Sequence, residues 1–233
     1  MERYRNKRCS ISDNDDPEIT DSTPSSATTG DSFTFNASVV DNIAVSNVYV
    51  EYWYGSGGHT NVSMSNVAGN YYEYDTTILD TLETLHYIIS AVDSSGNWNN
   101  TGTKDVSISD NDLPSLDADN SDTSGTTGDI YHFNISASDN IEVASVNASW
   151  SHGSLSGNLA LVKTGNYWTG TITLDHSLSN LIYTIQVNDS SGNYVRSSQK
   201  SISVSDNDLP SLDADNSDAS GTCLLYTSDA ADE

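Results

Sequence analysis

The sequence predicts an all-β chain arranged as a tandem array of antiparallel β-sandwiches, and three observations carry that reading. Apolar and polar residues alternate with period 2, and no window of twelve residues shows the 3.6-residue period of a helix. The stretch ISDNDLPSLDADNSD, from Ile108 to Asp122, returns as VSDNDLPSLDADNSD from Val204 to Asp218, and a shorter relative, ISDNDDPEI, begins at Ile11. Successive copies lie about 96 residues apart, the length of one small domain, and self-similarity at a fixed period marks a repeat array. Within each period, turn signals fall about every 8–12 residues, as a sandwich of short strands requires.

The acidic stretches therefore read as linkers, and they divide the chain. Residues 1–16 are expected to hold the end of a truncated preceding repeat plus a linker. Residues 17–112 and 113–208 form two complete repeats, and 209–222 start a truncated third. The N-terminal assignment rests on NKRCSISDND, which aligns with TKDVSISDND at Thr103 to Asp112, so Asn6 to Ser12 reads as a last strand. Near the other end, Ser211 to Thr222 repeats Ser115 to Thr126 with Ala219 in place of Thr123. The pattern then breaks into CLLYTSDAADE, residues 223–233, which resembles the translation of a transposon-based sequencing-library adapter. That string is set aside from the fold and function reading. Cys223 goes with it, and Cys9 takes the inward position held by Val106 and Ile202, so no disulfide between them is expected.

Each strand of a repeat can be justified in turn. Phe33, Phe35, Ala37 and Val39 alternate with polar residues, as do Tyr131, Phe133, Ile135 and Ala137. The next strand offers Val48, Val50 and Tyr52, matched by Val146, Ala148 and Trp150. A Gly/Ser turn follows (Gly55 to Gly58; Gly153 to Gly157), then a polar hairpin and the related runs GNYYEYDTTI at Gly69 and GNYWTGTITL at Gly165. LHYIISAVDSSGN at Leu85 matches LIYTIQVNDSSGN at Leu181, placing Tyr87, Ile89 and Ala91, or Tyr183, Ile185 and Val187, on one face. The DSSGN segment reads as a tight turn in which Gly96 or Gly192 supplies a positive φ. A last strand carries Val106 and Ile108, or Ile202 and Val204.

Composition narrows the partners. The net charge is −25, and half of the eight basic residues (Arg3, Arg5, Lys7 and Arg8) fall in the first ten positions. Such a chain repels nucleic acid and anionic lipid, and no long apolar run suggests membrane insertion. Asp outnumbers Glu by nearly four to one and gathers in loops and linkers, which favours turn chemistry or oxygen-ligand metal sites.

The motif DN-x-x-V (Asp41, Asn42, Val45; Asp139, Asn140, Val143), the D-S-S-G-N turn and the SDND-x-P linker occur in the same order twice. In that order they resemble tandem immunoglobulin-like repeats of microbial surface proteins, archaeal or bacterial. The L-x-Y-x-x-x-A/V run also resembles fibronectin type III sequence. The linker resembles a cadherin junction, though it is shorter and lacks that junction's second Asn. The resemblance spans residues 11–222 and implies an extracellular or cell-surface location. It also implies a structural or adhesive role toward a surface or matrix protein or a glycan. The alternative is an accessory spacer or carbohydrate-binding region of a secreted hydrolase.

No catalytic constellation is legible, and enzyme activity in these residues is not expected. His59, His86, His132, His152 and His176 are scattered, with no zinc-protease spacing, and there is no G-x-S-x-G and no phosphate loop. Trp53, Tyr54, Tyr72, Trp98 and Trp168 are candidates for an exposed sugar-stacking platform, or else for covers of sheet edges. N-x-S/T sequons at Asn36, Asn61, Asn99, Asn134, Asn147 and Asn188 are candidate glycosylation sites, Asn36 and Asn134 at equivalent outward positions.

The sharpest expectation concerns calcium. In a sandwich the incoming linker, the loop after the second strand and the DSSGN loop meet at one pole. This gathers Asp13, Asp15, Asp41 and Asp93 in the first repeat, and Asp110, Asp112, Asp139 and Asp189 in the second. Four carboxylates in one patch repel unless a cation sits among them, and hard oxygen donors suit Ca²⁺. The competing reading is a solvated acidic linker relieved by salt. Nearly identical linkers also predict a constant orientation between repeats, and so an extended rod.

Overall fold

The computed structural model describes residues 11–211. Of the strand expected over Asn6 to Ser12, only Ile11 and Ser12 are described, and neither lies in a strand. Cys9, Cys223, most of the segment 209–222 and the string 223–233 lie outside the described residues.

The first sandwich comprises β1 (Glu18–Asp21), β2 (Ser26–Thr28), β3 (Ser32–Val40), β4 (Val45–Tyr54), β5 (Thr60–Ser63), β6 (Ser65–Ala68), β7 (Tyr71–Thr77), β8 (Leu85–Asp93), β9 (Trp98–Asn100) and β10 (Lys104–Ser109). One sheet runs β1-β3-β7-β6 and the other β2-β10-β8-β4-β5, with β9 also on β8. The second sandwich repeats the plan with β11 (Ser115–Asp119), β12 (Gly125–Thr126), β13 (Ile130–Ser138), β14 (Val143–His152), β15 (Leu155–Ala160), β16 (Val162–Thr164), β17 (Tyr167–Thr173), β18 (Leu181–Asp189), β19 (Tyr194–Arg196), β20 (Lys200–Ile202) and β21 (Val204–Ser205). Its sheets run β11-β13-β17-β16 and β15-β14-β18-β19, with β20 on β18 and β12 beside β21. No helix occurs among the described residues. Both sandwiches are immunoglobulin-like.

The alternation read from the sequence is the alternation of burial. Along β3 Phe33, Phe35, Ala37 and Val39 point inward, and along β8 Leu85, Tyr87, Ile89 and Ala91 do so. Their counterparts on β13 and β18 are buried likewise, except that Ala137 is only partly covered. Full burial of each large apolar side chain contributes roughly 1.5–3 kcal/mol. The inward row of β8 ends on Asp93 and that of β18 on Asp189, so the pattern that fills the core also delivers a buried carboxylate to one pole.

Two features fasten the sheets together. Tyr87 on β8 donates its hydroxyl across the sandwich to Asp21 Oδ2 at 2.7 Å, and Tyr183 does the same to Asp119 Oδ2 at 2.8 Å. The chain also crosses from one sheet to the other between β1 and β2, and β2 then pairs with β10 in parallel, the only parallel pairing of the first sandwich. β12 and β21 form the same parallel pair in the second. Parallel neighbours end side by side, so the residue after β2 meets the residue after β10.

Candidate metal centre

Three carboxylates converge at the pole of each sandwich. Asp13, Asp41 and Asp93 each offer an oxygen, and those oxygens all lie within 4.8 Å of one another. Asp110, Asp139 and Asp189 form the second group with the same spacing. Each group takes its first member from the linker, its second from the loop after β3 or β13, and its third from the end of β8 or β18. A register shift between Val45 and Asn47, and between Val143 and Ser145, marks the strand facing the third carboxylate.

Each carboxylate is held in place by the backbone around it. Asp93 Oδ1 accepts from the amides of Ser95, Gly96 and Asn97 at 2.6–2.8 Å, and Oδ2 accepts from Asn97 Nδ2. The turn that presents these amides needs Gly96 at φ 97° and Gly192 at φ 101°, as expected. Burial pushes the Asp93 carboxyl up, but the bonds from Asn97, Gly96 and Ser95 outweigh it and hold the group below the ordinary carboxylate value. Asp189 has the same four bonds from Ser191, Gly192 and Asn193. Asp41 Oδ2 accepts from the Ile43 and Ala44 amides, and Asp139 Oδ2 from those of Ile141 and Glu142. One oxygen of each clamped loop carboxylate is left over. Asp41 Oδ1, Asp139 Oδ1 and the linker oxygen Asp110 Oδ2 are buried and accept no hydrogen bond. A buried carboxylate oxygen without a donor carries a desolvation cost that a cation would remove.

Asp15 and Asp112 do not join the triads. Asp15 Oδ2 accepts from Asn42 Nδ2 at 2.7 Å, and Asp112 Oδ2 from Asn140 Nδ2 at 2.8 Å. The four-carboxylate patch expected from the sequence thus becomes three converging acids and one that binds a loop asparagine.

The sequence reading passed over the residues behind the linker. Thr29, fully buried, places its hydroxyl 2.9 Å from Asp110 Oδ1 and 3.1 Å from Asp112 Oδ2. Thr127 stands 3.1 Å from Asp206 Oδ1 and 3.3 Å from Asp208 Oδ2. Asn111 and Asn207 donate to Asp31 and Asp129. The signal was present as a repeated TTGD, at Thr28 to Asp31 and Thr126 to Asp129.

The remaining candidates separate by exposure. Trp168 is buried in the second core, so it cannot join an exposed platform, and Tyr54 and Tyr72 pack partly on the first core. Trp53 has His59 stacked on it at 4.0 Å, and Trp98, exposed, stacks with Tyr49. Among the sequons Asn61 and Asn99 are exposed, though Asn99 Nδ2 donates to Pro17 O. Asn36, Asn134, Asn147 and Asn188 are half-buried, and the amide oxygens of Asn36 and Asn134 are buried, so those two outward positions are less open than the alternation suggested. His86 and His132 do face outward, against Asp105 and Asp122. His152 is buried, accepting from the Asp175 amide through Nδ1 and bonding Ser177 O through Nε2. It does the work of Tyr54 in the first sandwich, whose hydroxyl meets the Leu79 amide.

No family model matches this chain, and no curated protein does. Solved structures similar to it include tandem fibronectin(III)-like and Ig domains. The fibronectin(III)-like modules of Clostridium thermocellum CbhA are 16% identical over 80% of this chain and 93% of theirs, with a TM-score of 0.31. Titin Ig tandem domains A164-A165 are 14% identical over 82% of this chain and 97% of theirs, at 0.34. A tetra-tandem repeat from the extending region of a large adhesion protein is 17% identical over 80% of this chain and 49% of its own, at 0.38. The fold assignment stands on the strand order and the two cores.

Proposed function

We propose that this chain is a non-catalytic structural or adhesive repeat region of a larger extracellular or cell-surface protein, stiffened by calcium where one sandwich meets the next. The observation that carries the reading is the pairing of converging carboxylates with buried, unpartnered oxygens at Asp41, Asp110 and Asp139. A merely solvated acidic patch would turn those oxygens to water. Ca²⁺ takes six to eight oxygen ligands, so three carboxylates leave places for backbone carbonyls and water. Because Asp110 belongs to the linker while Asp139 and Asp189 belong to the second sandwich, the ion would tie the linker to the following unit and favour an extended array.

Thermal melting tests this by selectivity. The comparison is high sodium chloride with chelator against the same buffer with millimolar calcium. Calcium at about a hundredfold over its dissociation constant adds about 2.7 kcal/mol per site, which moves the melting point by roughly 4–8 °C per kcal/mol for a unit of this size. The expected result is a calcium increment absent with sodium alone, and lost from the second unit in the Asp139→Ala, Asp189→Ala double variant. No increment beyond sodium, or the same increment in the double variant, sinks the specific site.

A further inference from the structure

We propose that Thr29 is a positioning residue, making the cation site at its unit's C-terminal junction depend on the unit that precedes it. The inference rests on the reading of the acid triads as cation sites, and it adds which residue controls them.

Thr29, just after β2, is fully buried, and its amide donates to Ser109 O, the last carbonyl of β10. The parallel β2–β10 pair therefore sets the threonine directly against the first linker carboxylate. Its hydroxyl holds one oxygen of Asp110, which with the Asp112 amide fixes the carboxylate about its side-chain torsions. The other oxygen, Asp110 Oδ2, is buried and free of donors, and Asp110 stands in the triad with Asp139 and Asp189. A hydroxyl has one hydrogen to give, yet Thr29 Oγ1 faces carboxylate oxygens of both Asp110 and Asp112. The cluster therefore carries more acceptor than donor capacity, which a cation would relieve.

The other two linkers separate what the preceding unit contributes from what the following unit contributes. Thr127 holds Asp206 and Asp208 at nearly the same distances, and the Asp208 amide donates to Asp206 Oδ1 at 3.0 Å, all from the preceding unit and its own linker. Asp13 accepts from Asn42 Nδ2 and Ser95 Oγ of its following unit and from the Asp15 amide of its own linker, and has no threonine on it among the described residues. The linker carboxylate is thus set in place by the unit behind it, before the unit ahead supplies its two acids. A ligand already fixed in its bound orientation loses less freedom on binding, and so binds more tightly.

The test is a calcium titration of the full chain followed by NMR, with the Gly192 amide reporting the junction site and the Gly96 amide the Asp13 site. Both amides donate to the clamped carboxylate of their own triad. Thr29→Val is expected to weaken calcium binding at Gly192 about tenfold or more, the range set by a hydrogen bond to a charged group, and to leave Gly96 unchanged. Thr29→Ser keeps the hydroxyl and is expected to restore the affinity. Equal weakening at both glycines, or parent affinity at Gly192 in Thr29→Val, overturns the positioning role while the cation site survives. No response at either glycine of the parent overturns the cation site itself. Should Thr29→Val not fold, reciprocity supplies the answer in the parent chain. Calcium must then slow amide exchange at Thr29 as it binds the triad, and unaltered exchange there overturns the proposal.

Discussion

The acid group around Asp110 and the one around Asp13 receive similar asparagine contacts from the unit ahead of them, but Ser95 Oγ also lies 3.4 Å from Asp13 Oδ2, whereas Asp110 Oδ2 accepts no bond. Asn42 and Asn140 reach back to the linker alike, and Asn97 and Asn193 each meet the first linker carbonyl at 3.4 Å. Among the described residues Asp110 is also gripped from the rear, by the buried Thr29. The difference teaches that a linker of this kind is the C-terminal end of one sandwich before it is the entrance to the next. On the proposal above, the second unit's site is expected to depend on the first unit through Thr29.

The largest effect that can break this comparison comes from the cores. Phe35 and Phe133 occupy equivalent, fully buried positions, and cutting either to alanine is expected to cost its own unit about 3–5 kcal/mol. In chelator the two variants should mirror each other, each lowering one unit's melt by roughly 4–8 °C per kcal/mol. In calcium they should part. Phe35→Ala removes the platform under Thr29 and Asp110, so the second unit loses its calcium increment as well. Phe133→Ala leaves the first unit's increment whole. Calorimetry with and without calcium resolves the two melts, and mirror-image behaviour in calcium contradicts the asymmetry.

How far the sequence reached follows the same division. Period-2 alternation placed the inward rows of β3, β8, β13 and β18, because in a half-buried strand the side chain's face is fixed by parity alone. Parity and antiparallel topology also brought Asp41 and Asp93 to the linker's pole. Parity also accounts for Trp168, offered as an exposed aromatic: it shares the inward face of β17 with Ile172, and Gly170 between them leaves room for Leu159 and Leu161. The threonines were missed for a different reason. Their role depends on a parallel strand pair formed between residues about 80 positions apart, so the repeated TTGD marks the threonines without saying which carboxylates they meet. The same holds for His152, which replaces a tyrosine by meeting the same loop amide with a different atom.

A second comparison lies inside the sandwiches, at the tyrosine that bridges the sheets. Burial, reinforced by the neighbouring aspartate, raises the Tyr87 hydroxyl well above its ordinary value; burial, then Tyr131 and Asp119, does the same for Tyr183. A group with a raised folded value adds stability below its unfolded value, and that stability is lost as pH climbs toward the folded one. Both units should therefore weaken above about pH 10. Tyr87→Phe and Tyr183→Phe are each expected to cost about 1.5–3 kcal/mol at neutral pH, the range for a hydrogen bond to a charged acceptor. They should also flatten the alkaline fall of their own unit. Denaturant melts at pH 7 and pH 10.5 check both parts, and an alkaline fall that survives in the variants points to other groups.

The smallest effect separates the two bridges from each other. In the second sandwich Lys200 Nζ also lies 2.8 Å from Asp119 Oδ2, whereas no described cation pairs with Asp21. Burial pushes the Asp119 carboxyl up, but Lys200, Ser121 and Tyr183 outweigh it and leave the group below the ordinary carboxylate value. A lowered folded value means stability that is present above the unfolded value, near pH 4, and lost as pH falls below it. Lys200 is 43% exposed, so solvent screens the pair, and Lys200→Met is expected to cost only about 1 kcal/mol at pH 7. That cost should shrink as pH falls below about 4, because the ammonium no longer helps once Asp119 is protonated in the folded unit. The first unit's melt, read in the same scans, should be unchanged at every pH. A Lys200→Met penalty that is constant from pH 7 to pH 3 would show that the side chain acts through packing of its stem on β18, and the bridges of the two sandwiches would then be electrostatically alike.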